Sequence, residues 1–188
     1  KNRIFVGGAI GIAVVIFGLF VFFTKKDVKP TQPAATGFNM SSMIRPHNHS
    51  YGNPAAKVTV VEFYDPECES CREIHPFMKN FIREYSDRVR FVHRYMPFHG
   101  NSMLAASALE EAKELGKYDQ ALDLLFEHQP EWGSHHDPRP ELIAKYLLQI
   151  GIPKDRLETD YLVNKHRGKI LQDEADGKSL GVTGTPSF

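Results

Sequence analysis

Val58-Thr59-Val60-Val61-Glu62-Phe63-Tyr64-Asp65-Pro66-Glu67-Cys68-Glu69-Ser70-Cys71 runs from an apolar strand toward a helix and carries both cysteines of the chain across the junction. Residues 58–64 are β-branched and aromatic, the composition of a mostly buried strand. From Cys71 to Tyr85, apolar Ile74, Phe77, Met78, Phe81, Ile82 and Tyr85 recur at helical spacing, which predicts an amphipathic helix. A helix N-terminus offers free N–H groups and the positive end of the macrodipole, so a thiolate at Cys68 is favoured there. Cys71 follows one turn later, within bonding reach. The pattern reads as a redox dithiol.

The competing reading is half of a zinc site. A closed tetrahedral site needs four ligands, and without a second cysteine pair the rest would have to be histidines. His75, on the same helix, reads as a surface or packing residue, and His135 and His136 point in different directions on most backbones and read as surface residues. No metal site and no cofactor are assigned. With 188 residues, 23 Lys+Arg against 23 Asp+Glu, the chain suits one anchored domain of ordinary size. Its basic residues are scattered and no Lys/Arg stripe interleaves with aromatics, which argues against nucleic acid as a partner.

Ile4 through Phe23 contains no charged residue. A helix of that length spans roughly 30 Å of hydrocarbon, enough to cross a membrane. Cleaved signals have shorter apolar cores and a small-residue cleavage site, whereas this run ends in Thr24-Lys25-Lys26-Asp27, so an uncleaved anchor is expected. Gly7 and Gly11 form a GxxxG pair, read as ordinary membrane-helix glycine. Lys1 and Arg3 precede the run and Lys25, Lys26 and Lys29 follow it, a weak charge asymmetry that on its own leans toward a cytoplasmic domain.

From Asp27 to about Tyr51 the composition turns to Pro, Thr, Gln, Ala, Gly and Ser, the signature of a flexible tether. Met40, Met43, His47 and His49 within it would suit copper by softness, but their spacing matches no defined site and they read as incidental. Arg88 to Tyr95 alternates polar with apolar and is the second strand. A helix with Ser102 as N-cap follows to about Gly116, and helical patterns continue over Tyr118–Phe126, Glu141–Ile150 and about Lys154–Asp176. An all-helical stretch therefore lies inside an α/β frame.

Taken together, the chain resembles the thioredoxin superfamily, specifically its DsbA-like branch, in which a helical domain is inserted between the two halves of the thioredoxin fold. The residues carrying the resemblance are the Cys68–Cys71 pair, Pro76 five positions beyond Cys71, Glu62 six positions before Cys68, and Val182-Thr183-Gly184-Thr185-Pro186-Ser187-Phe188. It covers about Lys57 to Phe188 and implies a first half of the fold at 57–98, a helical insertion at 99–177 and a truncated second half at 178–188, after the transmembrane anchor at 1–26 and the flexible linker at 27–56 that the apolar run and the composition indicate.

By the same resemblance Cys68 is the attacking thiolate, Cys71 resolves the mixed disulfide, Glu62 is a buried proton acceptor for Cys71, and a cis Pro186 with Thr185 faces the dithiol and receives substrate. The implied activity is that of a membrane-tethered thiol-disulfide oxidoreductase, facing the periplasm or extracellular side of the cytoplasmic membrane. Its partners would be cysteine-containing exported proteins and a membrane redox partner. Asp65, Glu67 and Glu69 crowd Cys68 and oppose the thiolate that the helix N-terminus favours, with Arg72 partly compensating. This predicts a reductase or isomerase over a strong oxidase. A copper-handling module using the same two cysteines is the alternative.

Overall fold

The computed structural model describes residues 40–188, with side chains from Ser42 onward. The apolar run 4–23, the Gly7 and Gly11 pair, linker residues 27–39 and the Met40 side chain lie outside the described residues. Among the described residues no helix is long and apolar enough to cross a membrane. A short helix α1 (Met40–Met43) leads into β1 (His49–Gly52), followed by β2 (Val58–Tyr64), α2 (Glu69–Tyr85) and β3 (Val89–Tyr95). Then come α3 (Ser102–Glu114), α4 (Tyr118–Glu127), the short α5 (Gln129–Trp132) and α6 (Glu141–Gln149). A 3₁₀ turn (Lys154–Leu157) precedes α7 (Thr159–Ser179).

The three strands lie in the order β1-β3-β2. β2 and β3 run parallel, in register from Val58↔Val89 to Tyr64↔Tyr95, with α2 as their crossover. β1 pairs antiparallel with the other side of β3, His49 opposite His93. It ends at Gly52, whose φ of +78° and the Val89 carbonyl only 2.3 Å from where a Cβ would stand require glycine.

Side chains alternate across a strand, so the two faces of this sheet have separate fates. Tyr64 and Tyr95 join Cys68 and Cys71 in the large core that α3 to α7 complete with residues such as Leu109, Leu125, Trp132 and Leu147. Val61, Phe63, Val92 and Met96 form a second cluster on the opposite face, packed by Met43, Ile44, Leu180 and Val182. Alanines 105, 108 and 112 on α3 are fully buried, and their small side chains let α7 approach closely. Glu111, also buried there, is satisfied by Arg156, Lys165 and His166.

The structure corrects the flexible linker at 27–56 where it is described. Arg45 bonds both oxygens of Asp176, His47 Nε2 lies 2.9 Å from Asp173 Oδ1, and His49 stacks on Tyr118 with centroids 4.0 Å apart. Residues 42–52 are thus an integral edge of the fold, because their polar side chains have partners far along the chain, Asp119 for Tyr51 and the buried Asp173 for His47, that local composition does not reveal. Met43 sits in the core on one face while His49 stacks on the other, so among the described residues these two do not converge on a copper ion.

Two boundaries also differ. Asn101, not Ser102, takes the N-cap position of α3, since Ser102 Oγ is engaged by Asp65. The helix expected from Lys154 breaks at Glu158, whose extended backbone (ψ 129°) separates the 3₁₀ turn from α7.

The polar alternation of β3 hides a covered face. Arg94 is wholly buried, its guanidinium donating to Asp173 (2.7 Å), to Asp176 (2.6 Å) and to the Ser42 carbonyl, with Phe63 beneath it at 5.1 Å. Burial opposes ionisation of Asp173, but His47 and Arg94 still hold its carboxyl below the usual range. Hydrogen bonds from Arg45, then Arg94, hold Asp176 well below it. Carboxylates depressed in this way stabilise the fold above their unfolded ionisation near pH 3.9, and that contribution is lost as pH falls through their folded values. Arg94→Leu, which removes the buried charge shared by both carboxylates and leaves them only Arg45, His47, Asn48 and the Tyr95 N–H, is expected to lower stability by about 3–5 kcal/mol at neutral pH. The deficit should narrow under acid, as Asp173 and Asp176 take up protons. Urea unfolding of both proteins at neutral and acidic pH measures it, and an equal deficit at both would contradict the assignment.

Candidate active site

The active-site turn is built by β2 running out at Tyr64. Asp65 O accepts the Cys68 N–H (3.1 Å) and Cys68 becomes the N-cap of α2 with extended backbone, φ −77° and ψ 125°. Gln129 Nε2 donates to the carbonyls of Pro66 (2.9 Å) and Cys68 (3.0 Å), tying the turn to α5. Pro76 lies inside α2, where it cannot supply an N–H to the helix.

Both cysteines are free thiols. Cys68 is the more exposed of the two, yet at 7% it is buried, and Cys71 is at 1%. Burial, the largest cause, pushes the Cys71 thiol well above its ordinary range, and the neighbouring Cys68 adds to this. The Cys68 Sγ faces the Thr185 carbonyl at 3.4 Å. The Thr185–Pro186 bond is cis, as expected. Its loop is pinned beside β2 by two backbone bonds, Phe63 N to Ser187 O at 2.8 Å and Ser187 N to Phe63 O at 3.0 Å. Four of the residues expected at the site, Cys68, Cys71, Thr185 and Pro186, are therefore assembled around one turn.

Glu62 is buried at 6%, as expected. It is the register partner of His93, whose Nε2 stands 3.4 Å from Glu62 Oε2 and makes no hydrogen bond among the described residues. The other ring nitrogen of His93 lies 3.3 Å from Tyr118 Oη, which itself contacts Tyr64 Oη at 2.7 Å. His93 also lines a cavity of about 210 Å³ with Tyr51, His75, Met78, Asp119 and Asp123. A buried acid thus leads through an imidazole to a pocket on the flank of α2. Sequence reading passed over His93, although a histidine between Phe91 and Tyr95 on the core-facing period of a strand was a usable signal.

The three carboxylates expected to crowd Cys68 separate. Asp65, with no exposed surface, accepts from Glu67 N, Phe98 N, His99 N, His99 Nδ1 and Ser102 Oγ. Glu67 takes the Asn101 N–H (2.6 Å) and amide (2.8 Å). Both are turned away from Cys68 to the segment that leads into α3, close to the positive end of that helix. Only Glu69 stays at the mouth, half-exposed, beside His135 at 2.7 Å. Its own backbone N–H at the start of α2, then His135, lowers its ionisation below the usual range.

Residues 45–188 match the sequence model of the family described as Thioredoxin. The chain belongs to that family, in its DsbA-like branch. A thioredoxin-like oxidoreductase from Silicibacter pomeroyi DSS-3 is similar at 28% identity with a TM-score of 0.66, covering 79% of this chain and 83% of that one. Oxidised BdbD from Bacillus subtilis is similar at 28% identity and TM-score 0.62, covering 74% and 79%. Among curated proteins, Na(+)/H(+) antiporter NhaA 3 of Salinispora tropica is 33% identical over 144 residues, 75% of this chain and 21% of that protein. The chain spans about a fifth of the length of the first curated relatives it matches.

The two thiols should be separable by alkylation. In the reduced protein at neutral pH, iodoacetamide is expected to label Cys68 first, with Cys71 protected by burial and by its raised ionisation. Peptide mass analysis over time reads the order, and simultaneous labelling would contradict it.

Proposed function

We propose that this chain is a membrane-tethered thiol-disulfide oxidoreductase that exchanges disulfides with cysteines of exported proteins, outside the cytoplasmic membrane. The observation that carries it is Cys68 at the N-cap of α2, facing the Thr185 carbonyl of the cis-proline loop, with Cys71 buried one turn on. The apolar run 4–23 supports the tether. The curated relatives are named as antiporters, and the placement of a similar segment within such proteins favours a domain at a membrane. Antiport itself is not carried over, because most of those proteins lies beyond the match.

Acting as a reductant, the Cys68 thiolate attacks one sulfur of a substrate disulfide. A Cys68–substrate bond forms and the other substrate sulfur leaves as a thiolate. Cys71 then loses its proton and attacks Cys68 Sγ, so the substrate departs reduced and the Cys68–Cys71 disulfide remains. A membrane redox partner returns two electrons to it. Thr185 and Pro186 present an open stretch of backbone beside Cys68 that an extended substrate segment can join as a strand.

The Cys71 thiol is held protonated by burial, so its step needs a base. Glu62 is that base, with His93 passing the proton on. Replacing it by Glu62→Gln is expected to slow resolution of the mixed disulfide by about a hundredfold at neutral pH. The deficit should shrink as pH rises, because Cys71 then ionises without help. Stopped-flow resolution rates across pH test this, and a pH-independent deficit would point to a purely structural role.

The direction of exchange follows from Glu69. With Asp65 and Glu67 engaged by α3, the reducing bias rests on this one carboxylate, which occupies the dipole end that a thiolate would use, and on the absence of a histidine between the cysteines. Glutathione equilibration is expected to place the pair nearer thioredoxin, about −270 mV, than the strong oxidant value of about −120 mV. Glu69→Gln should shift it toward the oxidising side, by about 30 mV if the lost charge amounts to a tenfold change in equilibrium. A wild-type value near the oxidant end would refute the reducing direction.

A further inference from the structure

We propose that Glu69, His99 and His135 form a three-ligand site for a borderline divalent transition cation of the Zn²⁺ type at the mouth of the active site. Three separate elements contribute: the first residue of α2, the segment between β3 and α3, and the loop between α5 and α6. One donor atom from each lies within 4.8 Å of the others. Metal–ligand bonds of about 2.0–2.2 Å place tetrahedral donors about 3.4 Å apart, so small side-chain rotations suffice to close the set.

The geometry of His99 distinguishes this cluster from a plain ion pair. Its Nδ1 is 2.7 Å from Oδ2 of the fully buried Asp65, an oxygen that already accepts the Phe98 and His99 N–H groups and so takes Nδ1 as a further donor, leaving Nε2 for a metal. A buried carboxylate fixing an imidazole by one nitrogen and leaving the other for a metal is the usual outer-shell arrangement of histidine ligands. A His135–Glu69 pair would need neither His99 nor Asp65.

The loop bearing His135 is held in place as well. The Gly133 N–H bonds Gln129 O at 2.8 Å, and a Cβ on Gly133 would stand 3.1 Å from Glu67 Cγ. Glu69 and His135 have about half of their side-chain surface exposed, which leaves the site open to ions from solvent.

Two imidazoles and one carboxylate suit Zn²⁺, Cu²⁺ or Ni²⁺ and disfavour the oxygen-seeking Mg²⁺ and Ca²⁺. Three protein ligands leave the fourth position for water. On binding, the hydrogen between His135 Nε2 and Glu69 Oε1 is released or moves to Nδ1, and both atoms turn to the metal. The cation then replaces the negative charge of Glu69 beside Cys68 with a positive one, favouring the thiolate. This consequence for exchange rests on the oxidoreductase reading, whereas binding does not.

The test uses Zn²⁺ with the Cys68→Ser/Cys71→Ser variant, which removes the thiolates as competing ligands, titrated against a chromogenic chelator at neutral pH. One equivalent is expected to bind, and to bind at least about tenfold more weakly after a further His135→Ala or Glu69→Gln change at these exposed positions. Excess Mg²⁺ should not compete. No binding by the cysteine-free protein, or binding that neither substitution weakens, overturns the site. Disulfide exchange by the wild-type protein in excess chelator is measured alongside. Its absence there would sink the oxidoreductase reading without touching the zinc result, so the two failures are distinguishable.

Discussion

The buried guanidinium of Arg94 is the constraint on which the active-site geometry depends. It reaches from the central strand to Asp173 and Asp176, nearly one turn apart on α7, and so fixes the end of that helix against the sheet. Gly177 lies in the same turn, and a Cβ there would come within 2.9 Å of Met96 Sδ and 3.0 Å of Phe63 Cε1. Contact this close leaves α7 one seating on the sheet. From Ser179 the chain has only a few residues in which to reach Thr185 and the Phe63–Ser187 bridge. The cis-proline loop is therefore aimed at Cys68 by an ion cluster on the far face of the sheet. Arg45, His47 and Asn48 join the same two aspartates, which makes the segment before β1 part of that frame.

Electrostatics around the dithiol are decided by where three carboxylates find donors. Asp65 and Glu67 flank the turn in sequence, but Asp65 turns to the Phe98 and His99 N–H groups and Ser102 Oγ, and Glu67 to Asn101, all in the segment leading into α3. Glu69, one residue past Cys68, has only its own helix end and His135, so its charge stays at the mouth. Counting charges near a cysteine overestimates their effect when some of them complete hydrogen bonds elsewhere.

The chemistry-bearing core of the site was legible in the sequence. A strand, two cysteines one turn apart and an amphipathic helix form a local unit whose period and spacing carry the information, and β2 begins and ends where the pattern places it. Burial of Glu62 followed from its apolar neighbours on the same strand. His93 and Gln129 were missed because their roles arise from strand register and from α5 folding back onto the turn. His99 and His135 are 36 residues apart and neither lies in a periodic segment, so nothing local relates them.

The thioredoxin-like fold class and the loop with Thr185-Pro186 were read from the family resemblance; by itself the sequence determined the strand, the dithiol at a helix start and the helical content beyond. These are short-range properties set by side-chain period, helix spacing and backbone chemistry. Only the tertiary structure decided that residues 42–52 are an edge of the sheet, that Arg94 is buried, and that Asp65 and Glu67 face away from the dithiol. In each case a polar group excluded from water takes the partner that packing brings within 3 Å, and that partner lies far along the chain.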